Sequence, residues 1–591
     1  MNRKLLTEYL EAGAGKRKAD LAIKGGTLIN VDTGEYYPAD IAIYKDKIVA
    51  VDQDISTYIG EQTQIIDAQG KYLAPGLIDC HLHVECSKMS MTRFAQAVLP
   101  HGTTSIVSGL DEYISVIGLP GLTEIFNEID QLPFKVFWGL PYKTPYTIPK
   151  STIAYEVTGH DHEKAQPDSR CTGVWELVRE AVQTHDIDTL TAILAAHHNH
   201  KPIFGCSPLT TGTDLNEFLM SGVRVDHESY SHQEFLEKLR KGLHVVIRES
   251  AVTKFLQENI KAITQGARGA ARHVSFCTDD VNAQSILKTG HLDHMVRLAI
   301  VAGITPMTAI QMATINGAEA CQIDNQVGSI APGKAADILL VDQPGSFNIQ
   351  AVISQGHLVS KNGQEAFSYQ LPARSKTIAT TVHHQELQPE ELMKTVTPAH
   401  GKATVRTIKS VGPFMRRQRD VELQIKDHVL QPDPKNDVAA VSVIERYGIN
   451  GNLSHGFISG WSLQQGAIAT TASPDDNNLV VAGVNYQDMT LAANTLIEQG
   501  GGQVVVANGK ILAMLPLPIA GITTDLPLEK LANQEAQLMQ AARQLGCQLP
   551  DPLFYLSFLP ITAIPDLAIT DGGCVDYPKL AYFDPVIDVK D

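Results

Sequence analysis

The stretch PGLIDCHLHVECS, residues 75–87, sets His81 and His83 two positions apart at the end of an apolar run. On a strand, residues i and i+2 project from the same face, so both imidazoles can address one ion. A bound divalent metal lowers the pKa of water toward neutral, which makes hydrolysis the chemistry to expect. Glu85 follows two residues on: a persisting strand brings it to the substrate, and a strand that ends earlier leaves it a solvated loop carboxylate. Two more apolar runs end in ionisable groups, RVDHESY with His227 and Glu228, and VSFCTDDVN with Asp279 and Asp280. Asp279 there could ligate metal and accept the proton of an attacking water, or cap a helix that opens at AQSILK. Glu228 could pass a proton to a ring nitrogen of the substrate, or serve as a surface salt-bridge partner.

These groups lie far apart in sequence, so the fold must gather them. A parallel (β/α) barrel does so by bringing successive strand ends to one rim. From Gly76 onward, short β-branched runs such as TTSIVSG and HVVIRES alternate with helical segments such as TDLNEFLMSG and QEFLEKLRKG, as α/β units require. Residues 20–72 instead alternate apolar and polar positions in short runs broken by Gly, Asp and Pro, the pattern of hairpin-linked strands. GSIAPGKAADILLVD returns to that chemistry. The expected class is α/β: a metal-dependent (β/α)8 barrel inserted in a small β-domain, plus a C-terminal α/β domain. Its parts are residues 1–75 and 321–370 for the small β-domain, 76–320 for the barrel, 371–404 for a linker and 405–591 for the C-terminal domain.

With 591 residues, 43% hydrophobic, the chain can bury several cores. Its net charge of −17, with no basic run beyond KRK and MRRQR, argues against nucleic acid. No run of apolar residues is long enough for a membrane span, and the start lacks a signal-peptide core; a cytoplasmic location is expected, and homo-oligomerisation is left open. The eight cysteines show no disulfide spacing.

Taken in order, PGLIDCHLHVECS, LPHGTTSIVSGLDE, DHESY, CTDD, GSIAPGKAADILLV, GAIATTASPDDNN and LPLPIAGI resemble the adenine deaminases of the amidohydrolase superfamily over nearly the whole chain. The resemblance implies hydrolytic deamination of adenine to hypoxanthine and ammonia, a step of purine salvage, with a small purine as substrate. It implies a divalent metal, manganese first, with iron or zinc as alternatives. By the same resemblance His81 and His83 match first-strand ligands, Glu176 in TGVWELV a bridging carboxylate, His227 the sixth-strand ligand and Asp279 the last-strand aspartate, with Glu228 and Glu85 beside the substrate. Cys206 stands where the family has a ligand histidine, as thiolate ligand or buried apolar residue; Asp111, beside Glu112, and Pro474 and Asn477 also replace family histidines. Competing readings are an amidohydrolase acting on another amino-purine or a cyclic amidine or amide, and a non-catalytic purine-binding barrel.

Overall fold

The computed structural model describes residues 2–412, 415–564 and 566–590. At its centre are eight parallel strands: β1 (Leu77–Asp79), β2 (Thr103–Ser108), β3 (Lys135–Pro141), β4 (Cys171–Val178), β5 (Ile203–Cys206), β6 (Val225–Asp226), β7 (His244–Arg248) and β8 (Val274–Cys277). Each pairs with the next in chain order. Strands β2, β7 and β8 are buried along their whole length, as parallel strands covered on both faces must be. Beyond the ends of β1 and β8 a parallel bridge joins Leu82 to Asp279. There the His83 amide donates to the Asp279 carbonyl and the Asp279 amide to the His81 carbonyl, both at 3.1 Å. This brings the sheet to near closure at its C-terminal rim.

The chain enters and leaves the barrel through one further sheet. Its strands run, in spatial order, 364–365, 357–361, 349–354, 338–341, 72–75, 21–30, 35–44 and 47–52, with 64–67 paired to 21–30. The entry strand Tyr72–Pro75 lies antiparallel to the exit strand Ile338–Val341, with Leu73 opposite Leu340. Both flanks thus build one β unit around the barrel, as the matching strand-and-turn chemistry suggested.

The C-terminal region is richer in sheet than its sequence pattern suggested. Among the described residues its ten-stranded sheet has one parallel pairing, Ile408 with Ile458, and the other pairings are antiparallel. The helix Tyr486–Gln499, capped by the Asn485 side chain, packs on the sheet and links Leu479–Gly483 to Gly502–Ala507, two strands that run the same way but are separated by Ala467–Thr470, antiparallel to both. The segment read as a linker is tied down: Arg374 bridges Glu128 at 2.5 Å and Asp525 at 2.9 Å, and the strand His400–Gly412 begins inside it. Tyr113 and Thr523 share a hydrogen bond of 2.7 Å, Lys88 meets Glu535 at 2.9 Å, and Asp571 accepts from the Thr152 amide at 3.0 Å. The C-terminal region therefore lies across the rim of the barrel.

Candidate active site

The C-terminal rim is assembled by short apolar strands whose next residues are polar. Asp79, fully buried at the end of β1, accepts hydrogen bonds from the His81 amide at 3.2 Å and the Thr278 hydroxyl at 2.6 Å, tying the ends of β1 and β8 together. His81 is sandwiched between Trp175 of β4, ring centroids 4.2 Å apart, and His227, 3.5 Å. His81 Nε2 lies 3.3 Å from His83 Nε2, 3.2 Å from Glu176 Oε2 and 3.5 Å from Asp279 Oδ1. His227 Nε2 is 3.8 Å from Glu176 Oε1. Glu176 and Asp279 both hold positive φ, 57° and 58°, a strained conformation that persists where surrounding structure enforces it, often at functional sites.

Among the described residues, ligand atoms of His81, Glu176 and His227 lie within 4.8 Å of one another; so do those of His81, His83 and Asp279, and those of Cys206, His227 and Glu228. Three features of this arrangement fit a divalent cation. The two Nε2 atoms of His81 and His83 face one another with no more than one hydrogen to share. Glu176 Oε2 and His227 Nδ1 are buried without a hydrogen-bond partner. The donor set of imidazole, carboxylate and thiol suits zinc, iron or manganese.

The electrostatics separate the groups by task. Burial holds His81 well below its ordinary range and His227 at about 4, so both rings are neutral and able to ligate. Burial alone would lower His83 as well, but the charge and hydrogen bond of Asp111 outweigh it and raise this ring. Asp111 Oδ1 sits 3.2 Å from His83 Nδ1, and Asp111 Oδ2 accepts a hydrogen bond from the Tyr146 hydroxyl at 3.2 Å. With an ion bound, that contact would hold a proton on Nδ1 and free Nε2 for the ion, the arrangement by which carboxylates orient metal-binding histidines. Burial raises Glu176 far above the carboxylate range and brings Glu228 to about 7. Asp279 is held below its ordinary value because the Arg248 guanidinium overrides the effect of burial.

Arg248, the last residue of β7, donates to Asp279 Oδ2 at 2.5 Å and also to Glu228. Lys238, with no exposed surface, donates to the Ser207 carbonyl at 2.8 Å, to Asp226 at 2.9 Å and to the Glu228 carbonyl. It thereby fastens the ends of β5 and β6, which carry Cys206 and His227. The Cys206 thiol is raised far above its ordinary value by burial and by the charges of Glu176 and Glu228.

The structure gathers His81, His83, Glu176, Cys206, His227, Glu228 and Asp279 at this rim. Asp279 is no helix cap: the helix Ala283–Thr289 is capped by Asn282. Glu228 is no surface partner, being 7% exposed and paired with Arg248. Glu85 is not the solvated loop carboxylate of the second expectation. The strand ends at Asp79 and Val84–Ser87 form a 3-10 turn, yet the carboxylate is buried and lines a smaller neighbouring cavity. Sequence reading named Asp111 only as a departure from the family pattern, without its role on His83, and missed Arg248, Lys238 and Trp175. Arg248 carried a usable signal, a charge closing the apolar run HVVI.

Above the rim opens a cavity of about 450 Å³, floored by His83, Glu176, His227 and Asp279 and roofed from the C-terminal region by Phe558 and Ile561. No helix among the described residues is long and apolar enough to cross a membrane.

Comparison with known proteins matches residues 72–359 to the amidohydrolase family and residues 414–580 to the adenine deaminase C-terminal domain. The chain is 58% identical over 583 residues to adenine deaminase 1 of Latilactobacillus sakei subsp. sakei (strain 23K), covering 99% of this chain and 98% of that one. It is 53% identical to adenine deaminase 1 of Desulfotalea psychrophila, covering 99% of both chains. Against adenine deaminase 4 of Rhizobium meliloti the identity is 48%, covering 98% of this chain and 97% of that one.

Proposed function

Because the chain belongs to the adenine deaminase family of amidohydrolases, we propose an account of how its rim residues remove the 6-amino group of adenine. The enzyme is a hydrolase of carbon–nitrogen bonds: adenine and water give hypoxanthine and ammonia. We place the reaction in purine salvage and in the cytoplasm.

A divalent ion, when bound, polarises water and lowers its pKa toward neutral. His81, His83, Glu176, His227 and Asp279 would hold it. Manganese leads by family resemblance, and Cys206, as a thiolate ligand, would move the preference toward zinc or iron. Asp279, kept ionised by Arg248, accepts a proton from the attacking water and returns it to the departing amine. Glu228, near 7, is matched to exchanging a proton with a purine ring nitrogen at neutral pH. Phe558 and Ile561 supply apolar cover for the purine plane and exclude bulk water.

The observation that carries this reading is the convergence of His81, His83, Glu176 and Asp279 on one point of the rim. The test is a purine panel assayed for ammonia and oxo-purine in manganese, iron and zinc, with adenine expected to turn over best. His81→Ala/His83→Ala should lose most bound metal together with turnover. Deamination of another amino-purine in place of adenine would overturn the substrate, and equal metal in parent and variant would overturn the site.

A further inference from the structure

Behind the purine cavity lies a second chamber. Its volume is about 50 Å³, against about 450 Å³ for its neighbour. Cys86 and Glu112 of the barrel, with Pro474 and Phe558 of the C-terminal region, line both spaces and so form a common wall. A buried water needs roughly 15–30 Å³, and a pocket for an organic ligand has about 300–1,000 Å³. The chamber therefore admits molecules of the size of water and excludes a purine.

Its charged lining is mostly acidic, set among neutral polar groups such as Asn282, Gln284 and Gln503. Glu85, Glu112, Glu535 and Asp551 face it together with one cation, Lys88, which pairs with Glu535 at 2.9 Å. Glu112 accepts from the Asn477 side chain. Glu85 accepts from the Tyr113 amide at 3.3 Å through Oε1, but its Oε2 has no hydrogen-bond partner although the residue is only 2% exposed. A buried carboxylate oxygen without a donor is costly, and a small N–H donor of positive charge would satisfy it.

We propose that this chamber binds ammonium, so that the two products of the reaction occupy separate compartments. The proposal rests on the adenine deamination reading: when the C6–N bond breaks, nitrogen keeps the bonding pair and leaves as ammonia, which takes one proton from solvent. The resulting ion is water-sized and carries four N–H donors, matching a space of this volume lined by carboxylates. Adenine, in contrast, is confined to the larger cavity on the other side of Cys86 and Glu112.

A thermal-shift series on the metal-loaded full chain, at constant ionic strength in ammonium, potassium or tetramethylammonium chloride, reads binding without turnover. Ammonium alone is expected to raise the midpoint. Ser557→Phe, which places a ring in the chamber, should abolish the shift, with Ser557→Leu as the milder filling if the first variant does not fold. In assays of hypoxanthine formation, ammonium should inhibit the parent noncompetitively toward adenine. Inhibition should be about tenfold weaker in the filled variant, the scale of one charged hydrogen bond. Competitive inhibition, an equal shift from potassium or an unchanged response in the filled variant would overturn the assignment. An ammonium shift in a parent that does not deaminate adenine would keep the site and overturn the substrate reading instead.

Discussion

The Asp279 amide donates to the His81 carbonyl at 3.1 Å, while Asp279 Oδ1 stands 3.5 Å from His81 Nε2. Backbone and side chain of one residue thus bind it to the other twice. The contact that draws β8 toward β1 also sets the spacing of two groups that must act together, so the geometry of the site is carried by strand ends and owes little to flexible loops.

Asp279→Asn should lower turnover by roughly two to four orders of magnitude, because the amide cannot accept a proton. From sequence alone the exchange looks harmless to stability. The structure says otherwise: Asp279, with Glu228, pairs with the buried Arg248, and losing a partner of a buried charge costs up to about 3–5 kcal/mol. Turnover and urea midpoint measured on the same preparations check both parts; retained activity would remove Asp279 from the chemistry.

Cys206 Sγ lies within 4.8 Å of ligand atoms of His227 and Glu228, close enough for the three to share one ion. If the thiol ligates, Cys206→Ala should lower bound metal and Cys206→His should keep or raise it. Elemental analysis of the three proteins decides, and identical stoichiometry throughout would make Cys206 a buried packing residue.

Lys238→Met leaves Asp226 and Glu234 buried beside an uncharged chain. At equal folded fraction, kcat is expected to fall roughly tenfold to a hundredfold, the effect of misplacing a reacting group, with KM for adenine changing less. Lys238→Arg keeps the charge and should restore part of kcat. A purely structural lysine would lower the midpoint in both variants and leave kcat per folded molecule unchanged.

His244 opens β7 at the opposite end of the barrel, and burial holds its ring at about 3 against an ordinary 6.5. The unfolded chain therefore takes up a proton that the folded chain refuses, and stability is lost as pH falls from about 6.5 toward 3, by up to about 1.4 kcal/mol per pH unit. His244→Gln, which can still bond Ser275, should flatten this slope. Urea midpoints at pH 7, 6 and 5 in parent and variant provide the check, and parallel slopes would rule the residue out as the source.

What could be read in advance followed strand ends. His81, His83, His227 and Asp279 each close or follow an apolar run, and a barrel brings such positions together. Glu176 had no local signal, because it sits within VWELV and is turned toward the site by a positive φ that sequence does not announce. Lys238 sits four residues after Glu234, a spacing common to exposed helical pairs, and only the packing of β5 and β6 reveals that it is buried. The place of Glu85 stayed open because period-two reasoning holds only as far as the strand, and sequence does not show that the strand ends at Asp79. The antiparallel pairing of the C-terminal region was equally hidden, because its strand runs do not disclose their partners.

The antiparallel contact between the strands Tyr72–Pro75 and Ile338–Val341 makes the flanking β unit a late-closing structure during synthesis. A ribosome adding roughly 5–20 residues per second takes on the order of tens of seconds to cover the interval between these strands. Through that time the edge of Tyr72–Pro75 that later meets the exit strand has no permanent partner. Such an edge is open to mispairing, so the nascent chain should depend on chaperone protection until residue 341 has emerged.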